Sequence, residues 1–266
     1  MLGLFDSGLG GLTVLRAVRA RLPNEDIVFL ADQAHVPYGD RREENLVDLL
    51  HANIAWLEAA GADAIVMACN TSCAIAQRHG WPASSVRVLD LIESAALAVT
   101  RRGFRRVAVV ATAATVRTGA YGRLLRAQAP GMQVTEIAAP ALVPLVEAGE
   151  IESERARRAV AAVCEGVAAD CEAVVLACTH FPVLDAHFAA ALGPKVARID
   201  PALVQAERAV ALAIEAEGVR GNGTTRCVTT GEGARFAEQL EMMLGPDPAR
   251  TSEAVRLEYG KDRTAG

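Results

Sequence analysis

The chain contains little lysine and few aromatic residues, and both shortages restrict its function. Only two of its 266 residues are lysines. Lys195 follows Gly193-Pro194 in a predicted turn and Lys261 lies in the polar C-terminal tail, so neither suits the Schiff base that holds pyridoxal phosphate. Aromatic residues make up 4% of the chain, the net charge is −5, and no basic cluster lies among aromatic residues. We therefore expect no nucleic-acid partner.

Long uncharged segments are missing as well. No uncharged run reaches the roughly 20 residues that a membrane helix needs, which argues against a membrane span. The first twenty residues do not resemble a signal peptide, because Asp6 interrupts the apolar stretch and three glycines follow it. We therefore expect a cytoplasmic protein.

Apolar residues, by contrast, are abundant and regularly arranged. They make up 52% of the chain, enough for two hydrophobic cores. Strand and helix patterns alternate, which is typical of a doubly wound α/β fold. Besides two strands that end in cysteine, the patterns predict strands over Leu2–Phe5, Ile27–Ala31, Val86–Leu89, Arg106–Ala111, Val196–Ile199 and Arg226–Thr230. Helices are predicted near Thr13–Leu22, Asn45–Ala60, Glu93–Arg102, Ser153–Ala169, Pro201–Glu217 and before Leu244, with a linker over Gly218–Thr225.

Two similar stretches, 62–72 and 171–181, each place a cysteine at the end of a buried strand. Each contains an acid, an alanine, three apolar residues and a second alanine, followed by Cys69 or Cys178 and a polar residue. A contiguous apolar run with an abrupt polar end is typical of a parallel strand covered on both faces. Ligands of open α/β sheets bind beyond the carboxyl ends of such strands. The two thiols therefore predict a two-sided active site.

Matching landmarks indicate that the whole unit is duplicated. Asp6 precedes Cys69 by 63 residues and Thr112 precedes Cys178 by 66 residues, a spacing typical of repeated domains. We predict two pseudo-symmetric doubly wound α/β domains with mainly parallel sheets and an active site in the cleft between them. The first comprises residues 1–94 plus 212–266 and carries Cys69; the second comprises 95–211 and carries Cys178.

The six cysteines do not predict disulfides, because a large-cored cytosolic protein neither needs nor easily keeps them. We interpret Cys164, Cys171 and Cys227 as buried core residues, and Cys73 as a core residue one helical turn after Cys69. A zinc site built from Cys69, Cys73, Cys178 and His180 is an alternative, but its spacing lacks a Cys-x-x-Cys pair. We predict no metal.

The segment Asp6-Ser7-Gly8-Leu9-Gly10-Gly11 lies between a strand and a helix, where dinucleotides place their pyrophosphate. The dinucleotide fingerprint requires glycine where Thr13 stands, so the segment fails that test. Two interpretations stay open: a tight turn of small residues, or exposed N–H groups that hold a small anion such as a carboxylate.

Polar groups next to the two cysteines suggest acid–base chemistry. His180 lies two residues after Cys178 and can shift a thiol toward thiolate. Ser7, Asn70, Thr71 and Thr179 supply hydroxyl and amide groups suited to stabilising charge on a substrate carboxylate.

These motifs resemble those of the bacterial glutamate racemases, within the cofactor-independent aspartate/glutamate racemase superfamily. The resemblance extends over nearly the whole chain and includes the segments Asp6–Val14, Pro37-Tyr38-Gly39, Cys69-Asn70-Thr71, Val143–Glu147, Cys178–Pro182 and Thr229-Thr230-Gly231. It implies racemisation of glutamate without a cofactor, in which one thiolate removes the α-proton while the other thiol delivers a proton to the opposite face. The D-glutamate formed would serve peptidoglycan synthesis.

The resemblance also implies residue roles. Cys69 would act on D-glutamate with Asp6 nearby, and Cys178 on L-glutamate with His180 and its supporting Glu147. The substrate-binding residues would be Asp6, Ser7, Pro37, Tyr38, Gly39, Asn70, Thr71, Thr112, Thr115, Thr118, Thr179 and His180. A homodimer is also expected from the family.

Three departures from the usual family pattern leave the preferred side chain open: Phe181 replaces a common tyrosine, Gln33 a threonine, and Cys73 a small residue. The alternatives are an aspartate racemase, another racemase or isomerase of the superfamily acting on a small carboxylate, and a non-catalytic amino-acid-binding protein.

Overall fold

The computed structural model describes residues 1–215, 221–257 and 259. Two sheets organise this part of the chain, and every strand pairing in them is parallel. The strands are β1 (Leu2–Asp6), β2 (Ile27–Ala31), β3 (Ala64–Met67), β4 (Arg87–Leu89), β5 (Arg106–Ala111), β6 (Gln133–Ala138), β7 (Ala173–Ala177), β8 (Ala197–Ile199), β9 (Thr225–Thr229) and β10 (Arg250–Ala254).

Helices cover the faces of the sheets. They are α1 (Leu12–Arg21), α2 (Glu43–Ala59), α3 (Asn70–His79), α4 (Leu91–Arg101), α5 (Ala113–Thr118), α6 (Ala120–Gln128), α7 (Leu142–Glu147), α8 (Glu154–Cys164), α9 (Asp185–Leu192), α10 (Pro201–Glu215) and α11 (Gly233–Leu244). Helix α8 ends at Cys164, five residues before the end of the predicted helix Ser153–Ala169 (169 − 164). Strands β6 and β10 were not predicted from the sequence. The last residues of the predicted helix to Glu217, and 218–220 of the predicted linker, lie outside the described residues.

The order of strands confirms the predicted fold class. The first sheet has the order β10-β9-β2-β1-β3-β4 and the second has the order β6-β5-β7-β8. The four strands β2-β1-β3-β4 thus have the same connectivity as β6-β5-β7-β8, so each half is a doubly wound parallel sheet. Strands β1 to β3, β5 and β7 are almost entirely buried, as their contiguous apolar runs indicate.

The register of the strands corrects one sequence landmark. Phe5 pairs with Met67, two residues before Cys69, and Val110 pairs with Leu176, two residues before Cys178. If the cysteines are equivalent, Ser7 corresponds to Thr112, and the match of Asp6 with Thr112 is wrong by one residue. Ser7 precedes Cys69 by 62 residues, whereas Thr112 precedes Cys178 by 66, so the two spacings differ by four residues (66 − 62) rather than by three.

Helices α4 and α10 connect the two sheets. Helix α4 leads from β4 of the first sheet to β5 of the second, and α10 leads back from β8. The two helices pack against each other, and apolar residues of α10, including Ala206 and Ala209, join the core of the first sheet. The predicted boundaries 94/95 and 211/212 fall inside α4 and α10. Strands β9 and β10 extend the first sheet, so the tail returns to it.

Across the described residues, no helix combines the length and the apolar character that crossing a membrane would require.

Candidate active site

A cavity lies where the carboxyl ends of the two sheets face each other. Both cysteines that end the matching strands reach it, Cys69 after β3 and Cys178 after β7. The lining residues are Ser7, Pro37, Tyr38, Gly39, Asp40, Cys69, Asn70, Thr71, Thr112, Ala113, Pro140, Val143, Cys178, Thr179 and His180. The duplicated strand ends thus bring two thiols to one cavity.

Cys69 caps the N-terminus of α3 with its side chain. Its Sγ accepts a hydrogen bond from the backbone N–H of Ser72 at 3.5 Å, and only 3% of the residue is exposed. Burial, followed by the negative charge of Asp6, raises the pKa of Cys69 to about 12, although the bonds from Ser72 and Ser7 oppose that shift. Cys69 is therefore a thiol at neutral pH.

Asp6 ends β1 and is fully buried beside the cavity. Its Oδ2 accepts hydrogen bonds from the N–H groups of Gly11 at 2.6 Å and Gly8 at 3.3 Å. Thr179 of the opposite sheet donates its hydroxyl to the same carboxylate at 3.3 Å. Burial raises the pKa of Asp6 to about 6, against the opposing charge of His180 and these N–H groups.

Cys178 belongs to a chain of three polar groups. Its Sγ lies 3.6 Å from Nδ1 of His180, and Nε2 of the same ring lies 2.6 Å from Oε1 of Glu147. Burial alone would lower the pKa of His180, but the contacts with Cys178 and Glu147 raise it well above its usual value. Burial would likewise raise the pKa of Glu147, but the hydrogen bond with His180 lowers it. The ring is therefore held as an imidazolium between a sulfur and a carboxylate.

The glycine loop after β1 binds carboxylates of the protein itself. Besides the bonds from Gly8 and Gly11 to Asp6, Leu9 donates its N–H to Oε1 of Glu147 at 3.1 Å. The loop packs so closely that a Cβ on Gly10 would lie 2.7 Å from the backbone nitrogen of His180. Both interpretations of the segment hold in part: it is a tight turn of small residues, and its N–H groups do bind carboxylates. The N–H groups of Gly8, Leu9 and Gly11 are already bonded to internal anions and do not need a substrate carboxylate.

Hydroxyl groups join the two halves next to the cavity. Thr71 and Thr112, on opposite sheets, lie 2.9 Å apart between their Oγ1 atoms, and Thr115 contacts both at 3.3 and 3.0 Å. Asn70 accepts a hydrogen bond from the Tyr121 hydroxyl, but its Nδ2 is buried without a partner. A buried donor without a partner is costly, and it lies on a residue that lines the cavity. The site therefore offers an N–H group to an acceptor on a ligand.

Sequence reasoning missed Asp32, which fixes the Tyr38 wall of the cavity. Its Oδ1 accepts hydrogen bonds from the hydroxyls of Thr230 at 2.6 Å and Tyr259 at 2.7 Å, and Nδ1 of His35 lies 2.9 Å away. Its Oδ2 accepts the Tyr38 hydroxyl. Burial opposes ionisation, but the bonds from His35, Thr230 and Tyr38 lower the pKa of Asp32. The available signal was a polar residue directly after the buried strand β2.

Comparison with known proteins agrees with this arrangement. Residues 13–209 match the family described as Asp/Glu/Hydantoin racemase. A glutamate racemase of Desulforudis audaxviator is 38% identical over 266 residues, covering 96% of this chain and 97% of its own. The chain belongs to the Asp/Glu/hydantoin racemase family. A glutamate racemase of Gloeobacter violaceus is 46% identical over 157 residues, and that similarity covers 59% of each chain.

Solved structures of the racemase family share the fold along the chain. The glutamate racemase of Francisella tularensis, solved in complex with D-glutamate, has a TM-score of 0.85 at 27% identity. The superposition covers 96% of each chain. The two-sheet architecture of this chain is therefore that of the glutamate racemases.

The structure brings most of the predicted racemase residues to the cavity, but not all of them. Three of them do not line the cavity but hydrogen-bond residues that do. Asp6 bonds Thr179, Glu147 bonds His180, and Thr115 bonds Thr71 and Thr112. Thr118 bonds only locally, donating to the carbonyl of Thr115 and accepting from Ala120, and it does not line the cavity. The other predicted residues line the cavity, together with four that sequence reasoning did not propose: Asp40, Ala113, Pro140 and Val143.

The remaining cysteines and the described lysine lie elsewhere. Cys73 accepts the N–H of Leu91 in the core, and Cys227 is fully buried in β9. Cys171 donates to the carbonyl of Ala173, and Cys164 is half-buried at the end of α8. Lys195 is exposed between α9 and β8, and Lys261 lies outside the described residues.

Proposed function

We propose that this chain is a glutamate racemase that interconverts L- and D-glutamate by two-base proton transfer at Cα. The observation that carries the proposal is that Cys69 and Cys178 reach one cavity from the matching strand ends of two facing sheets. Racemisation needs a proton removed from one face of Cα and another delivered to the opposite face. Two fixed groups on opposite walls can do so without turning the substrate.

On the Cys178 side, the sulfur lies 3.6 Å from Nδ1 of the His180 ring, and the thiolate is the form that acts as base. The thiolate removes the α-proton of L-glutamate and leaves the electron pair of the C–H bond on Cα. Glu147 supports this state, because its carboxylate holds the charge on the ring at 2.6 Å. We assign Cys178, with His180 and Glu147, to L-glutamate.

On the Cys69 side, burial and Asp6 favour the neutral thiol. The thiol delivers its proton to Cα from the other face, which forms D-glutamate and leaves a thiolate at Cys69. In the reverse direction this thiolate is the base. Asp6, with a pKa of about 6, can bind a proton near neutral pH and so lessen the repulsion between the two negative groups. We assign Cys69 and Asp6 to D-glutamate.

The carbanion formed between these steps needs stabilisation, because negative charge spreads from Cα onto the α-carboxylate. Preorganised donors at the cavity can supply it. The free Nδ2 of Asn70 supports this role, as do the hydroxyls of Ser7, Thr71 and Thr112, whereas Thr179 donates its hydroxyl to Asp6. Pro37, Tyr38 and Gly39 form the wall that encloses the substrate. In the cell, we propose that the D-glutamate is used for peptidoglycan.

Exchange in heavy water tests the proposal. Purified protein, without added cofactor, is incubated with L- or D-glutamate, and deuterium at Cα is measured together with optical rotation. We expect both enantiomers to gain one deuterium at Cα and to approach a racemic mixture, with aspartate much slower. If neither enantiomer gains deuterium, the proposal fails. Faster exchange with aspartate would instead assign the activity to aspartate.

A further inference from the structure

A buried glutamine on α10 hydrogen-bonds the end of β3, the strand before Cys69, and also helix α4. Gln205 is fully buried and donates both hydrogens of its side-chain amide. One goes to the carbonyl of Met67 at 2.8 Å and the other to the carbonyl of Leu89 at 3.0 Å. Its Oε1 accepts the hydroxyl of Ser94 on α4.

The position of these carbonyls explains what the amide does. The ladder between β3 and β4 ends at the pair Val66 and Leu89. Beyond that pair the strands no longer bond to each other, and Gln205 joins their last carbonyls instead. Met67 is the final residue of β3 and lies two positions before Cys69. On its other side the strand end is held by Ala68, which donates its N–H to the carbonyl of Phe5 at 2.8 Å.

The same side chain links the two connections between the sheets. Ser94 lies on α4, which leaves the first sheet, and Gln205 lies on α10, which returns to it. Arg208, one turn further along α10, strengthens this junction by donating to the Ser94 hydroxyl and to the carbonyl of Asp90, each at 2.8 Å. The helices that connect the two sheets are therefore hydrogen-bonded to each other and to the strand that ends before Cys69.

We propose that Gln205 is a positioning residue for Cys69, which sets where its thiol stands relative to Cα. The inference rests on the proposed racemase function. The two proton transfers then depend unequally on Gln205, because its amide bonds the end of β3 and makes no hydrogen bond to Cys178 or His180.

The test is Gln205→Met, which keeps the length of the side chain but removes both donors and the acceptor. A displacement of about 1 Å at a reacting group costs on the order of 100-fold in rate, so we expect kcat to fall about 10- to 100-fold. Gln239→Met is the matched control, because Gln239 is also a buried glutamine on a helix but bonds Gln33 instead. We expect this control to keep the wild-type kcat.

Isotope effects separate positioning from a general structural role. Rates are compared for glutamate with hydrogen or deuterium at Cα, starting from each enantiomer. If Cys69 is displaced, its proton transfer limits the rate more strongly, so the isotope effect rises with D-glutamate and falls with L-glutamate. The inference is overturned if the isotope effect with D-glutamate, divided by that with L-glutamate, is unchanged or lower in the variant. It is also overturned if Gln205→Met keeps the wild-type kcat.

A second variant keeps the test valid if Gln205→Met does not fold. Ser94→Ala removes only the hydroxyl that orients the amide, and we expect the same change in ratio with a smaller loss of kcat. Thermal unfolding of each variant shows whether it is folded. Failure of the proposed function is distinguishable, since the wild-type protein would then exchange no α-proton at all.

Discussion

Replacing Gly10 by alanine should damage the Cys178 side of the site. A Cβ at this position would lie 2.5 Å from Oγ1 of Thr179, 2.6 Å from Nδ1 of His180 and 2.7 Å from the backbone nitrogen of His180. Side-chain atoms can turn away, but the backbone nitrogen cannot. The added methyl also occupies the space beside Nδ1, the ring atom that contacts Cys178.

The size of the effect follows from these distances. Ordinary contacts of a Cβ begin near 3.4 Å, so a neighbour at 2.7 Å has to retreat by about 0.7 Å. Since a 1 Å error at a catalytic group costs on the order of 100-fold, we expect kcat in the racemisation of L-glutamate to fall about 10- to 100-fold. Overpacking of this kind also costs about 1–3 kcal/mol of the free energy of unfolding.

Kinetics by circular dichroism and unfolding in urea measure both quantities. Gly166→Ala is the matched control: its Cβ would meet its nearest neighbour, a methyl of Ile137, at an ordinary 3.4 Å. We expect that variant to match the wild type in kcat and to be equally stable or more stable. If Gly10→Ala keeps kcat within twofold, the loop does not set the position of His180 and the reasoning is wrong.

Three further predictions concern the cysteines, the buried acid and a threonine. Cys69→Ser and Cys178→Ser should each reduce racemisation at least about 1000-fold, because both proton transfers occur in every turnover, whereas Cys164→Ser should stay active. The pKa of Asp6 rises from 3.8 to about 6 on folding, so its stabilising effect is present below pH 3.8 and is lost as the pH rises through 6. Relative to Asp6→Asn, the wild type should therefore lose up to about 3 kcal/mol of unfolding free energy between pH 3.5 and 7, measured in urea. Thr118→Val should lower the free energy of unfolding by about 1 kcal/mol and leave KM within twofold.

Each of these has a clear contrary result. Equal loss of activity in Cys164→Ser would contradict the assignment of the two cysteines. A difference between the wild type and Asp6→Asn that does not vary with pH would show that folding leaves the acidity of Asp6 unchanged. A large increase in KM for Thr118→Val would support the substrate-binding role that the sequence resemblance implies for Thr118.

The sequence predicted the fold class because parallel strands buried on both faces leave contiguous apolar runs. Such runs mark β3 and β7, and their abrupt polar ends locate Cys69 and Cys178. Strand β10 could not be found in the same way: Arg250–Ala254 is an edge strand with mostly exposed side chains, so burial imposes no pattern on it. Strand β6 is only partly buried, so it could not be predicted from the sequence for the same reason.

Two sets of hydrogen bonds between residues distant along the chain could not be predicted from the sequence. The N–H of Leu9 bonds a carboxylate 138 residues away, and Asp32 bonds hydroxyls 198 and 227 residues away. Neither pairing leaves a periodic signal. The position of Thr118 outside the cavity lining could not be predicted for a related reason, because a threonine near the cavity looks the same in sequence as one that lines it.

The carboxylates bound by the glycine loop link the opening of the cleft to proton affinity. The loop belongs to the first sheet, yet Leu9 bonds Glu147 of the second, and Thr179 of the second sheet bonds Asp6 of the first. Any separation of the two sheets would break both bonds and let water reach these two carboxylates, whose pKa values depend on hydrogen bonding and burial. A form with the sheets apart would therefore bind protons with a different strength from the form described, and a ligand that enters through such a form would bind in a pH-dependent way.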